Sequence, residues 1–134
     1  MRGMRFGLVL VGLIVVGCFS KSPTSPSGFF FEVTLAPGQT TAVDGATISI
    51  VFQGVSGDSR CPVNAACVTG GDALVKIEVI PTSGNRLPYE LHTGSMQPVR
   101  HDDLTIALVE LTPYPFSGRS IEPAEYRAKI KITR

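Results

Sequence analysis

The sequence predicts an all-β protein, folded as a single antiparallel β-sandwich of the immunoglobulin-like or Greek-key type. Apolar and polar residues alternate with a period of two in short segments, and turn signals recur between these segments. The 14 Gly and 10 Pro among 134 residues are many for a helical bundle, whereas a hydrophobic content of 43% is too high for a disordered chain. A chain of this length fits one domain.

About seven strands are expected, each bounded by residues that favour turns. The predicted strands are 29–35, 39–43, 46–53, 72–80, 87–93, 104–111 and 124–133. Three longer loops separate them, at 54–71, 93–99 and 112–123. The only two cysteines of this region are close neighbours and Trp is absent, which argues against membership of the immunoglobulin family proper.

Inward-facing positions of these strands form the expected core. Every second side chain of a strand points to the same face, so we expect the alternate apolar side chains of each strand to be buried between the sheets. The predicted core comprises Ile48, Ile50, Phe52, Val75, Ile77, Val79, Leu91, Ile106, Leu108, Tyr126, Ile130 and Ile132. In the last strand Arg127, Lys129 and Lys131 point outward, which is typical of a solvent-facing or edge strand.

Three consecutive aromatic residues, Phe29, Phe30 and Phe31, open the domain. Neighbours in a strand point to opposite faces, so at least one of the three faces away from a one-sided core. Two interpretations stay open. Either a loop covers the strand, or the exposed ring forms a patch for a partner or a membrane surface.

The first 17 residues predict an export signal rather than part of the fold. Two arginines precede an uncharged run of 12 residues, 6–17, which as a helix spans about 18 Å and is too short for the ~30 Å hydrocarbon core. The sequence Val-Val-Gly-Cys at 15–18 resembles the lipobox of bacterial lipoproteins. That resemblance implies cleavage after Gly17 and attachment of a lipid to Cys18, which would bind the protein to a membrane.

Residues 18–28 are then the lipidated cysteine and a flexible tether, and 29–134 the sandwich domain. The tether is rich in Ser and Pro, contains nothing apolar enough to pack, and reaches at most about 30 Å when extended. In the lipoproteins that this N-terminus resembles, Asp after the cysteine marks retention in the inner membrane. Phe19 stands there instead, so a lipid-anchored location in the cell envelope, on the outer membrane of a host with two membranes, is expected.

The number of cysteines is also consistent with export to the cell envelope. With Cys18 lipidated, Cys61 and Cys67 remain as a pair, and export permits a disulfide between them. Because the ring would be short, the chain-entropy estimate of its stabilisation is only roughly 2 kcal/mol. The bond should therefore fix the shape of one loop rather than hold the whole fold.

The most specific motif surrounds these two cysteines. Residues 58–62 read D-S-R-C-P, Cys67 follows after four more residues, and 111–115 read L-T-P-Y-P. Both motifs resemble those of an uncharacterised family of small exported or lipid-anchored bacterial β-domains. The resemblance spans roughly residues 38–132 and implies fold and compartment, but no activity. Where that family often has an aromatic residue, two positions after the second cysteine, this chain has Thr69.

Two interpretations of the cystine segment stay open. In the structural one, Asp58 accepts backbone N–H groups in an Asx-turn, and Arg60 pairs with Asp58 or Asp72 or bonds loop carbonyls. In the functional one, a disulfide-pinned loop on a rigid sandwich recognises a partner. The residues predicted for that binding surface are Asp58, Arg60, Asn64 and Tyr114.

No catalytic or metal-binding constellation emerges, so neither an enzyme nor a cofactor is expected. His92 and 101–103 contain metal-ligand types, but consecutive strand residues point to opposite faces, and 101–103 is interpreted as a surface turn. Asp58 and Asp72 flank the cystine segment without a calcium-loop pattern. Neither a nucleophile elbow nor a phosphate-binding loop occurs.

Charge excludes a further class of partner. Two of the 12 basic residues leave with the signal, which leaves 10 against 11 acidic residues and a net charge of −1. Without a basic stripe, nucleic acid is not an expected partner. The sequence thus predicts a lipid-anchored envelope protein that works as a binding or structural module toward an envelope protein or ligand. The alternative is an exported inhibitor or small enzyme acting through 54–71.

Overall fold

The computed structural model describes residues 28–134, which fold into two packed antiparallel sheets. The predicted signal peptide 1–17, the lipidation site Cys18 and the tether up to residue 27 lie outside the described residues. Within the described part, no helix is long and apolar enough to span a membrane. The strands are β1 (Phe30–Leu35), β2 (Thr40–Ala42), β3 (Ile48–Asp58), β4 (Ala73–Pro81), β5 (Leu87–His92), β6 (Val99–His101), β7 (Leu104–Thr112) and β8 (Arg127–Thr133), with a 3₁₀ turn at Pro123–Glu125.

The predicted all-β sandwich is confirmed. The first sheet has the strand order β1-β8-β7-β6 and the second the order β2-β3-β4-β5, and all neighbouring strands are antiparallel. The chain lays down the whole second sheet as a meander between β1 and β6. Strand β1 then pairs with β8, so the first and last strands of the domain lie side by side.

The core lies between the two sheets, and every predicted core residue is buried in it. Alternation places these side chains on the inner faces, as in β4, where buried and more exposed positions follow one another. Burial of this apolar surface is the main favourable term in folding. The core is completed by Leu35, Val43, Ala73, Leu104, Leu111 and Ala128.

Strand β3 is longer than predicted. It continues through Gly54–Asp58, a stretch that the sequence predicted to be a loop. It pairs with β4 through two bulges, between Phe52 and Gly54 and between Val55 and Gly57. A bulge takes up an extra residue, and Gly54 has the positive φ of 133° that a side chain disfavours. The irregular segment is therefore 59–72 rather than 54–71, and we call 59–72 the cystine loop.

Strand β6 lies where the sequence predicted a loop followed by a surface turn. Its three residues pair with the first three of β7. His101 closes β6 with a buried ring, and its Nδ1 lies 3.0 Å from the Tyr89 hydroxyl. Only Asp102 and Asp103 form the expected turn. The interpretation of His101 as a surface residue was wrong, because the side-chain partner of its ring comes from the other sheet.

Strand β8 lies inside the first sheet, between β1 and β7, so its outward-facing basic residues do not protect an edge as the sequence suggested. The two edges of this sheet are β1 and β6, and β1 begins within the aromatic run 29–31. Phe29 and Phe31 pack against the core, whereas 63% of Phe30 is exposed. Within the described residues, no loop covers Phe30.

The sandwich has two distinct ends. Strand β1 begins opposite Thr133, the last residue of β8, and finishes opposite Ala128, near the start of β8. The cystine loop and the segments 93–98 and 113–126 all lie at the end where β8 starts, where they bond to one another and to the strand ends. We call this the loop end, and we call the opposite end, where β1 begins, the tether end.

Candidate functional site

The cystine loop leaves the sandwich as a narrow stem that continues the β3–β4 hairpin. The Ser59 N–H donates to the Asp72 carbonyl at 2.7 Å, and the Cys61 N–H donates to the Gly70 carbonyl at 2.9 Å. Gly71 has a φ of +66°, and a Cβ at this position would lie 1.7 Å from the Ser59 carbonyl oxygen. Only glycine therefore fits the stem as it stands.

The tip of the loop is closed by the predicted disulfide. Cys61 and Cys67 are joined by an S–S bond of 2.08 Å, and their Cα atoms are 5.9 Å apart, within the usual range of about 4.4–6.8 Å. Inside the ring, the Ala65 N–H donates to the Pro62 carbonyl at 3.0 Å. The pairing of Cys61 with Cys67 is confirmed.

The Arg60 side chain fastens the cystine loop to the end of β7. Its Nε and Nη2 donate to the two carboxylate oxygens of Asp58 at 2.9 and 2.6 Å. Its Nη1 donates to the Leu111 carbonyl at 2.7 Å, and its Nη2 also reaches the Pro113 carbonyl at 3.0 Å. The Tyr126 hydroxyl donates to Asp58 at 3.0 Å. We call Asp58, Arg60 and Tyr126 the buried clamp, since the Arg60 and Asp58 side chains are only 9% and 11% exposed.

Electrostatics keep the buried clamp in one protonation state. Burial by itself raises the pKa of Asp58, but hydrogen bonds from Arg60 and Tyr126 outweigh burial and hold that pKa below its ordinary value of 3.8. Burial and the hydrogen bond to Asp58 raise the pKa of Tyr126 to about 12. Asp58 is therefore ionised and Tyr126 neutral at neutral pH, as their hydrogen bond requires.

A second polar cluster holds the other side of the stem. Asp72, which the sequence also offered as a partner for Arg60, instead lies 2.6 Å from Nδ1 of His92 and accepts hydrogen bonds from the Thr93 hydroxyl at 3.2 Å and the Gly94 N–H at 2.7 Å. The other ring nitrogen of His92 lies 3.4 Å from Glu90. We call Asp72 and His92 the exposed pair, since their side chains are 33% and 38% exposed.

The contact between Asp72 and His92 changes the pKa of both residues. Burial raises the pKa of Asp72, but hydrogen bonds from Gly94, His92 and Thr93 outweigh it and lower the pKa from 3.8 to about 2. The hydrogen bond to Asp72 raises the pKa of His92 above 6.5, against a smaller effect of burial. Both changes favour the charged pair, which ties segment 93–98 to the base of the cystine loop.

Segment 113–126 packs against the cystine loop through backbone and amide groups. The Val63 N–H donates to the Pro115 carbonyl at 3.0 Å, and the Ser117 N–H donates to the Asn64 side-chain oxygen at 2.8 Å. Asn64 thus joins two loops. The loop end is therefore a connected frame rather than three independent loops.

Tyr114 stands on this frame as an exposed ring. Its hydroxyl donates to Glu110 at 2.9 Å, which raises the pKa of Tyr114, and the Arg60 guanidinium lies 5.9 Å from its ring centroid. At 54% exposure, most of the ring is free to meet a partner. Tyr114 fits the predicted role of a contact residue better than the buried Asp58 or Arg60.

A groove of about 390 Å³ opens between β7 and segment 93–98. Leu108 and Leu111 form its floor, and the exposed side chains of Met96, Val109 and Tyr114 form its rim. Arg60, Cys61 and the two stem glycines close one end of it. This volume is within the range of ligand sites, about 300–1,000 Å³.

The structure brings all four predicted contact residues to the loop end but gives them different environments. Asp58 and Arg60 are engaged inside the buried clamp, Asn64 joins two loops, and Tyr114 is exposed. The groove itself was not predicted. Met96 and Val109 carry no motif, and their exposure depends on where β6 begins.

Metal-ligand residue types do not converge in the described part of the chain. No group of three or more His, Cys, Asp or Glu side chains is placed there to hold a metal ion. Asp58 and Asp72, considered together for calcium, belong to two separate clusters. His92 and His101 likewise contact different partners, Asp72 and Tyr89.

Comparison of this chain with models of protein families, with curated proteins and with solved structures finds no match. The lipobox and D-S-R-C-P resemblances therefore stay predictions from the sequence. The function has to be inferred from the chemistry of the loop end and from its position relative to the N-terminal tether.

Proposed function

We propose that this protein is a lipid-anchored module of the cell envelope that binds an envelope partner through the loop end of its sandwich. The observation that carries the proposal is the groove of about 390 Å³ with an apolar rim, set in a frame of cross-linked loops. The lipobox-like sequence at 15–18 supports the anchoring.

Exposed apolar side chains concentrate at the loop end. Among the described residues, the large apolar side chains that remain exposed lie around the groove or on the adjoining loops, apart from Phe30 and Leu87. Isolated exposed apolar residues are ordinary, whereas a cluster marks an interaction surface. The members of the cluster are Val63, Val68, Met96, Val109, Tyr114 and Phe116.

Rigidity favours binding at this surface. The disulfide closes the tip of the cystine loop, the buried clamp fixes that loop to β7, and the exposed pair fixes segment 93–98 to the stem. Loops held in place before a partner arrives lose less conformational entropy on binding. The frame therefore presents the apolar rim in one arrangement.

The position of the tether favours access to the surface. Strand β1 begins at the tether end, and β8 separates the two ends by seven residues, or about 23 Å at roughly 3.3 Å per residue. A domain held by a lipid on Cys18 would therefore turn its tether end to the bilayer. Its loop end would face away from the membrane, toward other envelope components.

Anchoring is tested by metabolic labelling with palmitate in the bacterial host. We expect the wild-type protein to carry the label and Cys18→Ser to lose it, because the thiol is the acceptor. Ser20→Ala, two residues further on, is the matched control and should keep the label. An unlabelled wild-type protein released as a soluble chain would contradict the proposal.

Binding at the loop end is tested by photo-crosslinking in intact cells. A photoreactive amino acid is placed at Val68 or Met96, both exposed at the loop end, and at Ser83, which is exposed at the tether end. We expect discrete crosslinked species from the two loop-end positions and none from Ser83. Equal crosslinking from both ends, or none from the loop end, would overturn the proposed surface.

A further inference from the structure

Two thirds of strand β7 form an open sheet edge along the groove. Strand β7 has nine residues, but β6 has three and pairs only with Leu104–Ile106. On that side, the part of the chain that the structure describes provides no strand for 107–112, while β8 pairs along the other side. The groove occupies the place that β6 would fill if it began several residues earlier.

Successive residues of a strand direct their backbone N–H and C=O groups to opposite sides, which shows which groups of β7 face this opening. The Arg134 N–H donates to the Phe29 carbonyl at 3.3 Å, so the even-numbered residues of β8 direct their backbone groups to β1. Leu108 and Leu111 lie opposite even-numbered residues of β8. Their N–H and C=O groups therefore point away from β8, toward the groove.

One of these four backbone groups already accepts a hydrogen bond, and its partner lies on the groove side of β7. The Leu111 carbonyl accepts the hydrogen bond from Nη1 of Arg60 at 2.7 Å. The Leu111 N–H and both backbone groups of Leu108 have no backbone partner among residues 28–134. Leu108 and Leu111 face the same side although they are three residues apart, because the bulge between Leu108 and Glu110 adds one residue to the usual spacing of two.

The charged side chains around the groove indicate which residues a binding partner should carry. Two ionised side chains line it. The charge of Arg60 is matched by Asp58 at 2.6 Å, while Glu110 accepts the Tyr114 hydroxyl and has no ion pair within the described part of the chain. The groove thus offers a carboxylate beside an apolar rim. A basic residue flanked by apolar ones is complementary to it.

We propose that the groove binds an extended polypeptide segment of another envelope protein, added to the first sheet as a strand beside Leu108–Leu111 and in line with β6. Its backbone would bond the free edge of β7, alternate apolar side chains would meet Met96 and Val109, and a Lys or Arg would pair with Glu110. This inference rests on the proposed function and names the chemistry of its partner.

The test uses the full-length protein in detergent and a phage library of random linear eight-residue peptides. We expect enrichment of peptides in which apolar residues alternate and a Lys or Arg is present. The most strongly enriched peptide is then synthesised in two N-methylated forms, which block alternate sets of backbone amides. One form should bind at least about tenfold more weakly and the other like the parent peptide, because a strand bonds a sheet edge through only one set.

Variants of the protein locate the bound peptide. Met96→Arg should weaken binding at least about tenfold, since it fills the rim and repels a basic residue, whereas Leu87→Arg, at an exposed position of β5 near the tether end and outside the groove, should leave it unchanged. Glu110→Gln should remove the preference for basic over neutral peptides. Hydrogen exchange of the Leu111 amide should slow when the peptide binds.

The possible outcomes separate the two proposals. No enriched peptide, or equal binding of both N-methylated forms, would overturn the added strand, while loop-end crosslinks in cells would still uphold the proposed function. Crosslinks at Met96 that join two copies of this chain would replace the foreign peptide with a self-association. Absence of both peptide binding and loop-end crosslinks would overturn both proposals.

Discussion

Two acid–base pairs hold the same loop from opposite sides, and they differ mainly in burial. The buried clamp joins Asp58 to Arg60 with both side chains about one-tenth exposed, and it reaches across to two carbonyls at the end of β7. The exposed pair joins Asp72 to His92 with each side chain about one-third exposed. The clamp connects the two sheets, whereas the exposed pair connects neighbouring strands of one sheet.

This difference in burial should determine how each pair responds to change. A buried charge that loses its partner cannot be compensated by water, so breaking such a pair is costly even where forming it gains little. A solvated pair is screened and loses little when it is broken. The clamp should therefore govern stability, and the exposed pair should govern the response to pH.

The largest effect is expected from Arg60→Met. This change leaves the Asp58 carboxylate with the Tyr126 hydroxyl and the backbone N–H of residue 60, and it removes the hydrogen bonds to the Leu111 and Pro113 carbonyls. We therefore expect the free energy of unfolding to fall by about 3–5 kcal/mol in urea unfolding. Arg86→Met is the matched control. It breaks an Arg–carboxylate pair whose arginine is 65% exposed and should cost less than about 1 kcal/mol. Equal losses for the two variants would show that burial does not distinguish them.

The next effect concerns the glycine between the two pairs. Gly71→Ala should destabilise the protein by roughly 2–3 kcal/mol, because the new Cβ collides with the Ser59 carbonyl at a positive φ. Gly70→Ala, one residue earlier, has open space around its Cβ and should be close to neutral. Thermal unfolding of the two variants measures the difference. A harmless Gly71→Ala would mean that the stem is not held as tightly as its hydrogen bonds suggest.

A smaller effect is expected when the disulfide is removed. Replacing Cys61 and Cys67 together by Ala should lower the free energy of unfolding by about 2 kcal/mol, since the ring is short. The β-sheet circular dichroism should remain, because neither cysteine belongs to the core. Loss of cooperative unfolding in this double variant would assign the disulfide a role in the whole fold.

The smallest effect is the change in stability with pH that the exposed pair contributes. His92 has a raised pKa, so its contribution to stability is complete below about pH 6.5 and is lost as the pH rises through the raised value. Melting temperature measured between about pH 6 and pH 9 should therefore decline more in the wild type than in His92→Asn. At the acid side, Asp72 contributes above about pH 4 and its contribution is lost as the pH falls toward about 2. Identical profiles for both proteins would contradict the assignment to His92.

Most of the fold could be predicted because alternation is a local property. Strands such as β4 and β7 show buried and exposed positions in turn, and their inward residues were correctly identified from that pattern. The second half of β3 was missed, because its Gly and Ser residues look like loop and only its pairing with β4 makes it a strand. Strand β6 was missed because three residues are too few to show a period.

The candidate site was predictable only in part, for a similar reason. The D-S-R-C-P motif correctly located the disulfide and included Asp58 among the possible partners of Arg60. It could not show that Arg60 reaches Leu111, about fifty residues away, because that contact exists only after the sheets pack. The groove was beyond prediction, since it arises because β6 begins only at Val99 and leaves residues 107–112 of β7 without a partner strand on that side in the described part of the chain.

The pairing of β1 with β8 has a consequence for how the chain is made. Strand β1 is synthesised before the other described strands, and its only partner in the described part of the chain emerges about 90 residues later. At roughly 5–20 residues per second, β1 waits about 5–20 s with its aromatic run unpaired. The second sheet, a meander of sequential neighbours, can form during that interval. The described strands should therefore acquire their structure from the middle outward, and the first sheet should close only after β8 has been synthesised.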